Sequence, residues 1–241
     1  MGVEKKEMFY SSGNLKMELM YKDNVLHHLN GPAVIKYDEI GNVTQEFYYE
    51  NGKLSRENNS DGPGPSKIFY YSNGLPKEEH FFVQGQYEAE DNLTLIKYYS
   101  TGVVKSEFYS LENYNLIKKY HRNGNLESEN WFNKKTQKLH RTDDLPAVIY
   151  YSKSINNRVI REVWYNQGLI SRLYNPAVIV YNQNGKHEAI SKTFYINNER
   201  FEDEFSHAVK SAEIKKRDHW TWSLLSLRFK LCIFMESSTV A

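Results

Sequence analysis

Glu18, Glu46, Glu79, Glu107, Glu129 and Glu162 recur at matching places along this chain. Carboxylates could serve as general acids, bases or metal ligands if two of them converged. Nothing distinguishes one of these six from the other five. The column therefore reads first as a solvated ladder or one paired with Lys and Arg. An acidic stripe for a basic partner comes second and a catalytic pair last. Stacked at strand spacing, such carboxylates repel unless solvated or paired.

The histidines are His27, His28, His80, His121, His140, His187, His207 and His219. His27 and His28 are adjacent, so on a strand they point to opposite faces and cannot chelate one ion together. No His-Glu-x-x-His or Cys/His spacing occurs, and each histidine reads as structural or surface. The single cysteine, Cys232, lies among Leu231, Ile233 and Phe234, the setting of an inert thiol. Gly62-Pro-Gly-Pro65 lacks the Gly-Lys-Ser/Thr ending of a phosphate loop, and no Gly-x-Ser-x-Gly elbow is present. The residues thus assign no catalytic, cofactor-binding or metal-binding position, and no enzyme is expected.

The elements that would hold these side chains are strands. The 241 residues include 19 Tyr, 12 Phe and 4 Trp, a composition suited to pleated, half-buried surfaces. A net charge of +1 gives no global field for nucleic acid, and the aromatics follow a buried-face period. One cysteine excludes an internal disulfide framework. The first residues, MGVEKKEMFYSS, lack a signal-peptide core, and no apolar run is long enough to span a bilayer. A reducing, cytoplasmic location is expected.

Turn residues keep a fixed rhythm. Gly13 precedes Asn24 by 11 residues, and the same interval separates Gly41 from Gly52, Gly74 from Gly85, Gly102 from Asn113, Gly124 from Lys135 and Asn157 from Gly168. Gly185 and Asn197-Asn198 form a slightly longer last pair. This spacing fits one strand plus its turn. Each glutamate of the column stands six residues before a second turn, with Lys192 as the exception. Four before the same turns stand Met20, Tyr48, Phe81, Tyr109, Trp131, Trp164 and Phe194. Three before stand Tyr21, Tyr49, Phe82, Ser110, Phe132, Tyr165 and Tyr195.

Ahead of the first turns, Pro32-Ala-Val-Ile-Lys-Tyr37 is matched by Pro146 to Tyr151 and Pro176 to Tyr181. Alternation puts Ala33, Ile35 and Tyr37 on one face, expected to be buried, and Lys36 on an opposite face expected to be largely solvated. Lys118 replaces the isoleucine and should break the rule. Type I′ second turns would pair Tyr21 with Leu26, Tyr49 with Leu54, Phe82 with Tyr87 and Tyr165 with Ile170.

The segment Tyr48-Tyr49-Glu50-Asn51-Gly52-Lys53-Leu54 resembles the MORN-variant repeat, which bacterial proteins labelled antitoxins often carry. His28 to Tyr37, His140-Arg141 through Tyr150, and Arg172 through Tyr181 look closer still to MORN-like repeat families of giant DNA viruses. The likeness covers about residues 8–201. It implies an elongated sheet of stacked hairpins acting as a scaffold or binding module, in host cytoplasm or virion if viral. Some true MORN proteins are linked to phosphoinositides, but the Tyr-x-Gly and His-Gly-x-Gly signatures are missing here.

Past the repeats, Phe201, Phe205, Ala208/Val209 and Ala212 form an apolar stripe at helical spacing, predicting a helix over about residues 201–216. Its acidic start and basic end suit the helix dipole. Residues 220–235 read as a further cap. Alternatively, Lys215, Lys216, Arg217, Trp220 and Trp222 form a partner-binding or membrane-surface segment.

The expected architecture is mainly β: an elongated antiparallel β-hairpin repeat array of about seven two-turn units over 1–201, with a helix and apolar tail over 202–241 capping it. The expected function is a non-enzymatic scaffold for a protein partner, without cofactors. The alternative is peripheral membrane or phosphoinositide binding through the C-terminal segment.

Overall fold

The computed structural model describes residues 2–60, 62–86, 92–155, 157–182 and 188–217. Two-strand units follow one another: Glu4–Phe9 with Leu15–Lys22, Val34–Tyr37 with Val43–Phe47, and Lys67–Tyr70 with Pro76–His80. The fourth to seventh are Leu93–Tyr98 with Val104–Ser110, Tyr114–Tyr120 with Leu126–Asn133, Val148–Tyr151 with Val159–Val163, and Val178–Tyr181 with Ala189–Ile196. Each unit pairs antiparallel with the next, so one 16-stranded meander sheet runs in chain order. A single helix, Glu204–Arg217, follows the last unit. The fold is the mainly β hairpin array that the turn rhythm predicts.

Second turns carry the clearest local signal. Asp23-Asn24, Asn51-Gly52, Gln84-Gly85, Gln167-Gly168 and Asn197-Asn198 all have positive φ at both positions. This is the type I′ conformation, whose twist matches that of the flanking strands. Tyr21 pairs with Leu26, Tyr49 with Leu54 and Tyr165 with Ile170, the expected registers. Near Phe82 the bridge is Val83 to Gln86, and Tyr87 lies outside the described residues.

These short hairpins form arms beside the sheet, and the arms are themselves linked. Gly52 N donates to Leu26 O at 2.8 Å, Gly85 N to Leu54 O at 2.8 Å, Gly168 N to Leu139 O at 2.9 Å, and Asn198 N to Ile170 O at 2.9 Å. A second rail of hydrogen bonds therefore runs alongside the ladder. At the fourth unit it is reduced to one link, Lys134 N of the fifth arm donating to Asn113 O at 3.0 Å. There Ser110 pairs with Asn115 and Leu111 N donates to Tyr114 O, so the chain turns straight back into the fifth unit without an arm.

Burial corrects one expectation about the faces. Ala33, Ala147 and Ala177 are fully buried on the expected face. The opposite face is not largely solvated, because Val34, Val148, Val163 and Val178 are buried on it. Leu139, Tyr165, Ile170 and Tyr195 of the arms pack against the Val148–Val163–Val178 cluster. The arms fold under that face and supply its cover.

The first strand departs from the others. Lys5, Lys6 and Glu7 stand where the second unit has Ala33, Val34 and Ile35, and all of Glu4–Phe9 is exposed. Lys5 bridges Glu7 at 2.8 Å and Glu18 at 3.0 Å.

The helix also corrects the sequence. It begins at Glu204, with Asp203 Oδ1 accepting from Ser206 N at 2.8 Å as N-cap. Phe205, placed on the apolar stripe, is 66% exposed, whereas His207 and Ser211 are fully buried. His207 Nε2 meets Arg172 O at 2.8 Å, and its ring lies 5.1 Å from Phe194 and 5.6 Å from Phe201. Ser211 Oγ accepts from Tyr174 N at 3.2 Å. These polar partners, in the loop that leads into the last unit, select the buried stripe.

Candidate functional site

The glutamate column is the most regular polar feature, and strand pairing determines its form. Glu18, Ile35, Glu46, Ile68, Glu79 and Ile96 are successive partners across the sheet. Glu107, Lys118, Glu129, Ile149, Glu162 and Ile179 continue the row. The carboxylates do not stack on adjacent strands, as the sequence reading supposed. Each two-strand unit puts a bulky residue between them, separating them by about 10 Å. Lys118 takes the isoleucine place between Glu107 and Glu129, with Nζ 5.0 Å from the Tyr109 ring.

Each carboxylate is engaged by the closing tyrosine of the next unit. Tyr70 Oη donates to Glu46 at 2.7 Å, Tyr98 to Glu79 at 2.6 Å and Tyr120 to Glu107 at 2.6 Å. Tyr181 donates to Glu162. Tyr37 with Glu18 and Tyr151 with Glu129 complete the series. Every joint between units thus carries one phenol and one carboxylate. Burial, reinforced by the neighbouring carboxylate, raises the phenol pKa of Tyr70, Tyr98, Tyr120 and Tyr181 well above the usual value. Burial and Glu129 push Tyr151 up to about 12.

These shifts set a pH dependence. A folded pKa above the unfolded value contributes stability below pH of about 10, lost as pH rises through the folded pKa. Stability is therefore expected to fall steeply from about pH 10 upward. Tyrosinate absorbance should show part of the tyrosines ionising only as circular dichroism reports unfolding. Coincidence of all tyrosines with a free phenol in the folded protein would refute the joints. At a single joint, Tyr70→Phe leaves Glu46 short of a donor and should cost about 1–2 kcal/mol. A double-mutant cycle with Glu46→Gln, read by denaturant melts, should show coupling.

The aromatic column lies on the same face, and small residues separate its rings. Ala33 and Ser66 flank Tyr48, and Ala147 and Ala177 flank Trp164, as the ladder bonds Tyr48 N to Ser66 O and Trp164 N to Ala177 O show. Met20, Phe81, Tyr109, Trp131 and Phe194 occupy the equivalent places. Guanidinium groups cover three of the rings: Arg56 over Tyr48 at 4.1 Å, Arg141 over Trp131 at 3.8 Å and Arg172 over Trp164 at 3.9 Å. Arg172 Nη1 donates to Pro176 O at 3.2 Å, and Nε and Nη2 grip Asp144 at 2.7 Å each. His28 Nδ1 meets Pro32 O at 3.1 Å in the second unit. Arg141 and Arg172, the basic residues ahead of two Pro-Ala motifs, therefore clamp the rings beside them, while His28 holds the backbone of Pro32. Arg56 was missed because no Pro-Ala follows it.

Among the described residues, no group of three His, Cys, Asp or Glu side chains is placed to hold a metal ion. No described helix is long and apolar enough to cross a membrane. Lys215 Nζ lies 5.0 Å from the Tyr174 ring, while Lys216 and Arg217 close the helix. Trp220 and Trp222 lie outside the described residues, as do His187, His219 and Cys232.

The MORN repeat variant family model matches residues 5–23 and 42–60. Two stretches of this chain are thus similar to the MORN repeat variant. The first runs over both strands of the first unit to Asp23, and the second over the second strand and arm of the second unit. MORN repeats generally build scaffolds and are generally non-catalytic. The later units repeat the same columns and turns with altered loop lengths. No curated protein matches the chain.

Proposed function

We propose that this protein is a non-catalytic scaffold that binds another protein along its sheet. The observation carrying this reading is that the recurring polar side chains join repeat to repeat. The glutamates hold tyrosines of the next unit, and Arg141 and Arg172 clamp rings. Such a device holds many units in one register and presents equivalent positions at a regular interval. On this reading the helix caps the last unit through His207. The protein works in the cytoplasm, and the viral likeness of its Pro-Ala-Val-Ile segments extends this to host cytoplasm or virion.

The full chain, immobilised and challenged with lysate from its source, is expected to retain a protein in a saturable manner. Free chain should compete it off, and nuclease or mild detergent should not. Flotation with phosphoinositide vesicles that depends on residues 215–241, with no protein retained, would overturn the proposal in favour of membrane binding.

A further inference from the structure

The missing arm at the fourth unit leaves a notch. A cavity of about 330 Å³ opens there, with Phe108, Ile117 and Phe132 among its apolar walls and Ser110, Asn115 and Gln137 among its polar ones. Five of these side chains lie on the arm face, since Phe108 pairs with Ile117 and Ser110 with Asn115, which pairs in turn with Phe132, and Gln137 of the fifth arm accepts from Asn115 Nδ2 at 3.3 Å.

Ser110 explains the space. Its column otherwise reads Tyr21, Tyr49, Phe82, Phe132, Tyr165 and Tyr195, one ring for each arm. Where arms are present, their rings and aliphatic partners bury the neighbouring valines, as Tyr165, Ile170 and Tyr195 do for Val163 and Val178. At the fourth unit both the ring and the arm are missing, and the equivalent Phe108 and Ile117 remain partly exposed. The hole lies at the one place of the column that lacks a ring, in line with the others, and has room for an aromatic side chain.

The surroundings carry a sign. Lys97 Nζ lies 5.9 Å from the Phe108 ring, and Lys134 Nζ donates to Leu111 O at 2.9 Å. Lys119 stands exposed two residues beyond Ile117 on the same face. The carboxylates nearby are Glu78, bonded to Lys97 at 3.3 Å, and the exposed Glu112 of the turn. Cations thus outnumber anions around an apolar floor.

We infer that this notch seats an aromatic side chain carried on an acidic segment of a partner protein, which completes the arm rail from outside. The inference rests on the protein-binding reading above and specifies its chemistry. Ring burial supplies the anchor, and Lys97, Lys119 and Lys134 meet the flanking carboxylates.

The test is selection of a phage-displayed random dodecapeptide library on the full chain, followed by titration of the enriched peptides. Peptides pairing an aromatic residue with Asp or Glu are expected. Ser110→Tyr should fill the notch and restore the column, weakening binding at least about 10-fold while raising Tm by about 2–4 °C. Opposite signs in binding and stability separate occlusion from misfolding. Lys119→Glu should weaken binding without moving Tm. Enriched peptides that lack acidic residues, or that ignore Ser110→Tyr, sink the notch while leaving protein binding elsewhere on the sheet intact. A uridine 15-mer or phosphatidylserine vesicles that bind the chain and are lost with Ser110→Tyr would overturn the peptide assignment. A library that yields no binder overturns the inference, and with a negative lysate capture the scaffold proposal falls too.

Discussion

Trp164→Ala is expected to cost about 3–5 kcal/mol and to split unfolding into two steps. Trp164 is buried between the fully buried Ala147 and Ala177, so its removal leaves a void that small neighbours cannot fill. The change also strips the ring from beneath Arg172, 3.9 Å away, and frees Asp144 O, which accepts from Trp164 Nε1 at 2.8 Å. Arg172 O is in turn the acceptor that holds His207 of the helix. One substitution therefore loosens the ring column, the clamp and the helix contact together. In a repeat array, stability is roughly a sum of units and nearest-neighbour interfaces. Weakening the interface between the sixth and seventh units should let the C-terminal end melt first. Urea melts followed by tryptophan fluorescence and by circular dichroism should then separate. A single coincident transition with the parent slope would refute this account.

The second large effect comes from adding volume. Ala147→Leu should destabilise by about 1–3 kcal/mol, measured as a lower urea midpoint. Ala147 has no exposed surface and lies between the strands bearing Trp131 and Trp164. A larger side chain must displace one of those rings, and both are held by arginines. The fifth unit provides a natural contrast, because Leu116 occupies the same column place beside Tyr109 and Trp131. An unchanged midpoint for Ala147→Leu would show that the alternation of ring and small residue is incidental.

Much of this architecture is legible from short-range pattern. Turn residues at a fixed interval give the strands, and Asn51-Gly52 and Gln167-Gly168 give the register of Tyr49 with Leu54 and Tyr165 with Ile170. The pattern stops short where a residue's role depends on a different unit. The glutamates align in a column, but only the sheet order shows that Ile35, Ile68 and Ile149 come between them. Tyr70 and Glu46 are 24 residues apart, and no local spacing announces their bond. The burial of Val148 and Val178 was invisible for the same reason, since arms from neighbouring units cover them. In the helix, apolar spacing pointed to Phe205, while hydrogen bonds to Arg172 and Tyr174 decided for His207 and Ser211. Ser110 is the one residue without a ring in its column, and the cavity beside it gives that exception a meaning.

The lysines and glutamate of the first strand have a consequence for assembly. A sheet built from near-identical hairpins resembles a growing polymer, and a bare apolar end would accept another molecule. Lys5, Lys6 and Glu7 act as a terminator: any strand docking there would bury charges against Glu18-type and valine-type positions. Replacing them with the Ala-Val-Ile of the second unit should turn this end sticky and drive head-to-head dimers. Charge on one strand thereby keeps sheet from adding to sheet as concentration rises.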